Sequence, residues 1–289
     1  MKTLLLFIVA ATVAWAQGDP VFRSGISLVR VDAQAVDAAG HLVSGLTKND
    51  FRVLDEGQEQ QLVNFSFEEE PLDLILMFDL AGSMRGKVLT VVRAAELGFH
   101  ELRKGDRVDV MVFNTRAQEV LPFSPDLQAV NNAIVLRVIT LRPSGGSQLE
   151  APADDAALRF RREPRSQRKR GILVVTDKTS SGTPTNTIRD LWQSDAVLSE
   201  LVLGGSTPNS NPIVDQTGGA TIVAGVPGEA FQQSVHYLRS GYAMYYASPD
   251  APAGTQRKLQ VSLTPEAASR FPNVKIRARS AYIVAPVNP

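Results

Sequence analysis

Two aspartates and two serines lie in polar turns that adjoin apolar runs of the sequence. Asp79 directly follows the apolar run at 72–78, and Ser83 lies in the same turn. Ser147 follows a pair of glycines, and Asp177 comes after a later apolar run. Carboxylate and hydroxyl oxygens suit a hard cation that keeps part of its water shell. These four residues are therefore candidate ligands of a divalent metal ion, for which Mg²⁺ or Mn²⁺ is the expected choice.

The four residues can meet only if the strands that precede them lie side by side in one sheet. From about residue 72 to 239, apolar runs such as 107–113 and 196–203 alternate with segments of helical periodicity such as 87–102. Nearly continuous apolar runs are typical of central strands that are covered on both faces. The alternation predicts an α/β fold with a doubly wound, mostly parallel sheet, in which ligands bind beyond the carboxyl ends of the strands.

Sequence with the two-residue alternation of β-strands lies on both sides of this region. The candidate strands before it are residues 26–33, 51–55 and 62–67, and those after it are 242–247, 258–263 and 274–284. Neither group has enough strands to bury its apolar face alone. We therefore expect the two groups to pair into one small β-sandwich, into which the α/β domain is inserted. The predicted divisions are an N-terminal β segment at 17–71, the α/β domain at 72–240 and a C-terminal β segment at 241–289.

Residues 1–16 have the layout of a cleavable secretory signal peptide. Lys2 gives a positive start, residues 4–13 form an apolar run, and Ala14 and Ala16 are small residues at the positions that signal peptidase reads. The run is shorter than the roughly 20 residues that a membrane-spanning helix needs. The sequence thus predicts an exported protein, secreted or periplasmic, with no membrane span after signal cleavage. An uncleaved N-terminal anchor is the alternative.

Composition narrows the classes of function. The 289 residues are 44% hydrophobic and 21% charged, which is typical of a globular chain. The 30 basic side chains balance 30 acidic ones, so no net field favours nucleic acid as a partner. The sequence contains no cysteine, which excludes disulfides and thiolate nucleophiles, and it contains neither a Gly-x-Ser-x-Gly nor a Walker A motif. We therefore expect a protein that is not an enzyme, with a divalent-dependent hydrolase as an alternative.

The candidate ligands resemble the metal-ion-dependent adhesion site of the von Willebrand factor type A family. In that family the first strand ends in Asp-x-Ser-x-Ser, a threonine follows a Gly-Gly turn, and a second aspartate follows a later strand. Here residues 79–83 read Asp-Leu-Ala-Gly-Ser, Ser147 stands in the place of the threonine, and Asp177 ends the run Val-Val-Thr-Asp. The segment 215–219 also resembles the Thr-Gly-Gly turn before the last strand of these domains.

The resemblance covers about residues 72–239, and the flanks resemble those of secreted bacterial members. Residues 45–51 read Gly-Leu-Thr-Lys-Asn-Asp-Phe before the domain, and 274–279 read Val-Lys-Ile-Arg-Ala-Arg after it. The resemblance implies a domain that binds a protein partner, with an acidic residue of the partner completing the metal's shell. It further implies that the ion is held directly or through water by the four candidate ligands, namely Asp79, Ser83, Ser147 and Asp177.

Two residues depart from the family's pattern, so the sequence leaves open whether the site binds a metal ion. Ala81 replaces the first serine and removes one ligand oxygen. Lys178 directly follows Asp177, and its ammonium group could neutralise the carboxylates in place of a cation. The two hypotheses are a cation-dependent adhesion site of altered type and a metal-free scaffold module in an envelope assembly. A separate basic stretch at 159–170 is interpreted either as an anion-binding surface or as a solvated loop.

Overall fold

The computed structural model describes residues 28–67, 70–138, 140–164, 168–179, 184–204 and 211–286. The predicted signal peptide at 1–16 and the first part of the N-terminal β segment therefore lie outside the described residues. Within those ranges the chain forms an α/β unit and two smaller sheets built from its flanks. None of the helices in this described part is long and apolar enough to cross a membrane.

The α/β unit is built on a sheet with the strand order β10-β9-β8-β5-β6-β7, counted over the described residues. Its strands are β5 (Leu72–Asp79), β6 (Arg107–Phe113), β7 (Ala117–Ser124), β8 (Lys169–Thr176), β9 (Ala196–Leu203) and β10 (Thr221–Ala224). All neighbours pair in parallel except β6 and β7, which are antiparallel. Every residue of the central strand β5 is buried, as its continuous apolar sequence requires. The predicted doubly wound, mostly parallel sheet is confirmed.

Helices cover both faces of this sheet and enclose two apolar cores. The helices are α1 (Val88–Phe99), α2 (Leu127–Ala133), α3 (Glu150–Arg162), α4 (Thr185–Gln193), α5 (Pro212–Thr217) and α6 (Pro227–Arg239). One core joins the sheet to α1, α2 and α6, and the other joins it to α3, α4 and α5. Because helices cover both faces, a ligand can reach the sheet at the ends of its strands and along the outer edges of β10 and β7.

The segments before and after the α/β unit both supply strands to each of the two smaller sheets. The flanking elements are β1 (Leu28–Val36), β2 (Phe51–Asp55), β3 (Gln58–Glu59), β4 (Leu62–Phe67), β11 (Tyr242–Ala247), β12 (Gln256–Leu263), α7 (Pro265–Arg270), β13 (Lys275–Ala278) and β14 (Ala281–Ile283). One sheet has the order β13-β1-β11-β4 and the other the order β14-β12-β2-β3. Each sheet therefore contains strands from before and from after the α/β unit, and the apolar faces of both enclose a third core.

The prediction of one strand over 274–284 was wrong. The chain forms β13, leaves it at Arg279 and Ser280, and enters β14 in the other sheet. Arg279 is buried and its guanidinium donates to Asp195 and to the carbonyl of Arg30. The Ser280 amide donates to the Gln216 carbonyl at 3.0 Å. These contacts hold the crossover against the α/β unit, and they have no signature in the local alternation of the sequence.

Neither interpretation of the basic stretch at 159–170 holds for Arg159, Arg168 and Lys169. Arg159 lies in the last turn of α3 with its side chain 14% exposed, and its guanidinium contacts Asp109 at 3.1 Å and Glu163 at 2.7 Å. Arg168 Nε lies 2.6 Å from Asp73. The ammonium of Lys169 is buried against two main-chain carbonyls, and this burial lowers its pKa to about 8. These three side chains are therefore paired internally, whereas Arg161 and Arg162 of the same stretch are exposed.

Candidate functional site

Asp79 ends the central strand β5, and both of its carboxylate oxygens hold neighbouring groups. Oδ1 accepts the Ala81 amide at 2.7 Å, and Oδ2 accepts the Thr176 hydroxyl at 2.6 Å. The side chain is fully buried, so it does not reach the surface of the site. Asp79 thus fixes the turn after β5 to the end of the neighbouring strand β8.

Asp177 follows β8 and lies in contact with the turn after β5. The Ser83 hydroxyl donates to Oδ1 at 3.0 Å, and the Lys87 ammonium donates to Oδ2 at 2.7 Å. Burial raises the pKa of Asp177, but the hydrogen bonds from Lys87 and Ser83 outweigh burial, and the net pKa is lowered. The carboxylate is therefore ionised at neutral pH and is already matched by a positive charge.

The glycine-containing loop before α3 forms the opposite wall of the site. The Ser144 amide donates to the Leu80 carbonyl at 2.8 Å, and the Gly82 amide donates to the Gly145 carbonyl at 3.0 Å. Gly145 has a φ of 72°, in the left-handed region that favours glycine. Ser147 follows this turn and is exposed. The main-chain bonds hold the loop beside the turn that carries Ser83.

A cavity of about 570 Å³ lies between these two turns. Ser83, Ser147 and Thr176 bring hydroxyl groups to its wall, and Lys178 adds an exposed ammonium. Ala81 lines the same cavity with a methyl group, 3% exposed, in the place where the first hydroxyl of the motif was expected. The structure thus brings Ser83 together with Asp177, and it places Ser147 across the cavity from them.

The sequence singled out Lys178 as the group that could replace a cation, but the contact comes from Lys87. Lys87 stands immediately before α1, four residues after Ser83, and its side chain is 42% exposed. This position at the start of a helix directs the ammonium toward the end of β8. The signal in the sequence was a lysine in the turn of the candidate ligands themselves. Lys178 instead donates its main-chain N–H to the Thr176 hydroxyl at 3.3 Å.

The donor set does not fit a divalent cation while Lys87 is in place. Its ammonium lies 2.7 Å from the Asp177 carboxylate, where it supplies the charge that a cation would supply. A dication within a few ångströms of that ammonium would be repelled. Within the described ranges, no cluster of three or more histidine, aspartate or glutamate residues has the geometry to hold a metal ion. Binding of a cation at Asp177 would therefore require Lys87 to leave.

One serine–histidine–carboxylate grouping occurs elsewhere on the α/β unit, and its geometry is not that of a hydrolase. His236 Nδ1 lies 2.8 Å from Glu101 Oε2, and Ser240 Oγ lies 3.4 Å from the same Nδ1 atom. A catalytic triad places the acid on one ring nitrogen and the nucleophile on the other. The arrangement therefore cannot relay a proton from Ser240 through the ring to Glu101.

Known proteins are similar to parts of this chain. The family model for the von Willebrand factor type A domain matches residues 74–180. An uncharacterized protein of Synechocystis is 35% identical over 82 residues, which are 28% of this chain and 19% of that protein. The matched stretch thus spans about a fifth of the length of this curated relative.

Solved structures are similar to this chain at low sequence identity. A von Willebrand factor type A structure from Catenulispora acidiphila has 12% identity and a TM-score of 0.50, and it covers 83% of this chain and 76% of its own. Manganese-loaded TRAP protein of Plasmodium vivax has 14% identity and a TM-score of 0.48, over 70% of this chain and 96% of its own. The family match and the sheet order agree: residues 74–180 match the von Willebrand factor type A domain, and the α/β unit has the fold of such a domain.

Proposed function

We propose that this domain binds a protein partner at the cavity beyond the carboxyl ends of β5 and β8, and that it does so without a divalent cation. The observation that carries the proposal is the ion pair between the Lys87 ammonium and the Asp177 carboxylate, at 2.7 Å. The family match supports a role in protein interaction. The ion pair takes over the structural task of the cation, since it joins the turn after β5 to the end of β8.

The polar groups of the cavity bear on the chemistry of the partner. The hydroxyls of Ser83 and Ser147 and the exposed ammonium of Lys178 line the cavity, together with Glu150 at the start of α3 and the buried Glu200, whose carboxylate accepts from Asn211. An acidic side chain of a partner would pair with Lys178 and accept hydrogen bonds from the hydroxyls, as charge-assisted bonds are stronger than neutral ones. The cation-dependent alternative uses Asp79, Ser83, Ser147 and Asp177, and it first has to displace Lys87.

Removing the ammonium distinguishes these two mechanisms. We expect Lys87→Met to raise the affinity for Mn²⁺ and Mg²⁺ at least about tenfold over the unmodified chain, because the competing charge is gone and Asp177 becomes free. Affinities on the order of 10⁻³ M are expected for so few protein ligands. Titration calorimetry of the full chain with each metal measures the difference.

Two further variants control this experiment. Lys104→Met makes the same change at an exposed lysine outside the cavity and is expected to leave the metal affinity unaltered. Adding Asp177→Asn to Lys87→Met should abolish the gained affinity. Metal binding by the unmodified chain that is lost in Asp79→Ala would overturn the cation-independent proposal and support the adhesion site of altered type.

We also propose that the chain is exported, with residues 1–16 removed, and that it acts by binding and not by catalysis. The layout of positive start, apolar run and small residues at Ala14 and Ala16 supports export. We expect N-terminal sequencing of the protein from the periplasm or the medium to begin at Gln17. Recovery of the intact N-terminus in the cytoplasm would contradict the proposal, and recovery with membranes would favour the uncleaved anchor.

A further inference from the structure

A second groove, of about 650 Å³, lies where the edge of the α/β sheet approaches the flanking strands. One wall is β10, which ends the sheet order and pairs with β9 on its other side. The opposite wall is β13, which ends the order of its own sheet. Edge strands of two different sheets therefore line one cleft, which shares no lining residue with the cavity that Ser83 and Ser147 line.

The two walls touch at one end and separate toward the other. At the closed end, a Cβ on Gly218 would lie 2.7 Å from the carbonyl carbon of Ala278, and Arg277 donates to the Gly219 carbonyl at 3.0 Å. From there β10 runs to Ala224, and β13, followed backward, runs to Lys275. The result is a wedge that is open along the length of a short strand.

The β10 wall presents its main chain to the groove. Ala220 and the first three residues of β10, 221–223, all line the groove, although the side chains of a strand alternate between its two faces. Consecutive strand residues line one cleft when the edge of the strand, with its N–H and C=O groups, points into it. Such an edge is a template for a further strand. The Val223 side chain is 36% exposed beside it and offers an apolar contact.

The β13 wall makes the groove basic, which favours a ligand with negative charge. Lys275 and Arg277 line the groove two residues apart, so they lie on the same face of β13 at a separation of about 7 Å. His41 and His236 also line it. The acidic residue of the lining, Asp37, accepts the amides of its own turn from residues 39 and 41, and Asp215, outside the lining, lies 3.9 Å from Arg277 Nη1 with both side chains partly exposed. Carboxylates at alternate positions of an added strand would match the spacing of the two cations.

We infer that this groove binds an extended acidic segment of a partner protein, which adds to the β10 edge as a strand and pairs its carboxylates with Lys275 and Arg277. This inference does not depend on the proposed function of the first cavity. A second copy of the chain fits less well, because pairing two β10 edges would bring two sets of these cations to one seam. Main-chain bonds supply affinity in this mode, and the alternating side chains supply specificity.

Fluorescence polarisation with three labelled peptides tests the inference on the full chain. The probe is Thr-Glu-Val-Glu-Val-Glu-Val-Thr, and its counterparts carry Lys in place of Glu or N-methyl groups on alternate residues. We expect the acidic peptide to bind at least about tenfold more tightly than either counterpart, because one has the wrong charge and the other cannot donate to the edge. Equal binding of all three, or no saturable binding of the acidic peptide, would overturn the inference.

Charge-reversal variants locate the binding to this groove. Lys275→Glu with Arg277→Glu should weaken the acidic peptide at least about tenfold and strengthen the lysine peptide. Lys275→Glu alone leaves the bond from Arg277 to Gly219 intact and should act in the same direction by about threefold. The control pair Arg93→Glu with Lys104→Glu changes the net charge equally at exposed sites elsewhere and should have no effect. A loss of affinity in the control pair would mean a non-specific charge effect and would overturn the inference.

Sedimentation velocity tests whether a second copy of the chain occupies the groove instead. We expect the full chain to sediment as a monomer at the concentrations used for the peptide titrations. A dimer that Val223→Asp dissociates would show that a second copy occupies the β10 edge, and it would overturn the assignment of the groove to an acidic partner segment.

Discussion

Replacing Gly219 with alanine is expected to destabilise the chain by about 4 kcal/mol or more, and thereby to shift its unfolding transition to a much lower urea concentration. A Cβ at this position would lie 1.8 Å from the carbonyl oxygen of Leu198 and 2.7 Å from its carbonyl carbon. Leu198 lies in β9, between β8 and β10, and is fully buried. The clash is with the main chain of an interior strand, so no side-chain rotation can relieve it. Either β9 or the turn before β10 has to move.

Urea unfolding followed by circular dichroism measures this effect. Gly225→Ala is the matched control, because a Cβ there meets nothing within 4 Å and the residue does not adopt a positive φ. We expect the control to lie within about 1 kcal/mol of the unmodified chain, or slightly above it through reduced entropy of the unfolded state. A loss below about 1 kcal/mol for Gly219→Ala would show that the turn does not lie against β9 as described.

Replacing Asp55 with alanine is expected to reduce the free energy of unfolding by about 3–5 kcal/mol, because one buried carboxylate serves three donors. Oδ2 accepts the hydroxyls of Tyr246 at 2.9 Å and Tyr282 at 2.8 Å, and Oδ1 lies 2.8 Å from Arg257 Nε. Asp55 belongs to β2, whereas its three partners belong to strands that follow the α/β unit. Alanine would leave two buried hydroxyls and a guanidinium without their acceptor. A buried donor without an acceptor destabilises the folded state by more than a formed hydrogen bond stabilises it.

Tyr282→Phe separates the loss of an acceptor from the loss of a donor. It removes one hydroxyl but leaves Asp55 bonded to Tyr246 and Arg257, so we expect a loss of about 1 kcal/mol. Thermal unfolding monitored in the near ultraviolet reports the tyrosine environment directly. If Asp55→Ala proved no more harmful than Tyr282→Phe, the carboxylate would not be the centre of this network.

The fold class was predictable because its signals are local. Apolar runs at 107–113 and 196–203 correspond to β6 and β9 as observed, since buried parallel strands need apolar residues on both faces. Continuous alternation could not reveal the crossover at Arg279 and Ser280. There the chain changes sheets because of contacts with the α/β unit that are remote in sequence.

The acidic residues of the site were predictable from the sequence, but the basic residue that pairs with Asp177 was not. Asp79 and Asp177 stand at strand ends, and the topology of a parallel sheet brings such positions to one edge. The partner of Asp177 was sought next to it in sequence, at Lys178, whereas the observed ion pair joins residues ninety positions apart. Its formation depends on where α1 begins, and boundaries of elements are what local periodicity specifies least well.

The basic stretch illustrates the same limit. Seven cations within a short segment suggested a surface patch or a solvated loop, but two of the acids that pair with its described members come from elsewhere in the chain. Asp73 lies in β5 and Asp109 in β6, and each contacts an arginine of the stretch. Charge that is concentrated along the sequence is therefore dispersed among ion pairs in the folded chain.

The interleaving of the two flanks has a consequence for biosynthesis. β1 lies between β11 and β13, and β4 pairs with β11, so neither strand finds its sheet neighbours until the ribosome has passed residue 242. The strands of the α/β unit are contiguous in sequence and can assemble first. The flanking sheets therefore close last, over contacts of high sequence separation that form slowly. A chain truncated before β11 would keep a folded α/β unit while exposing unpaired strands, which makes incomplete products the aggregation-prone species.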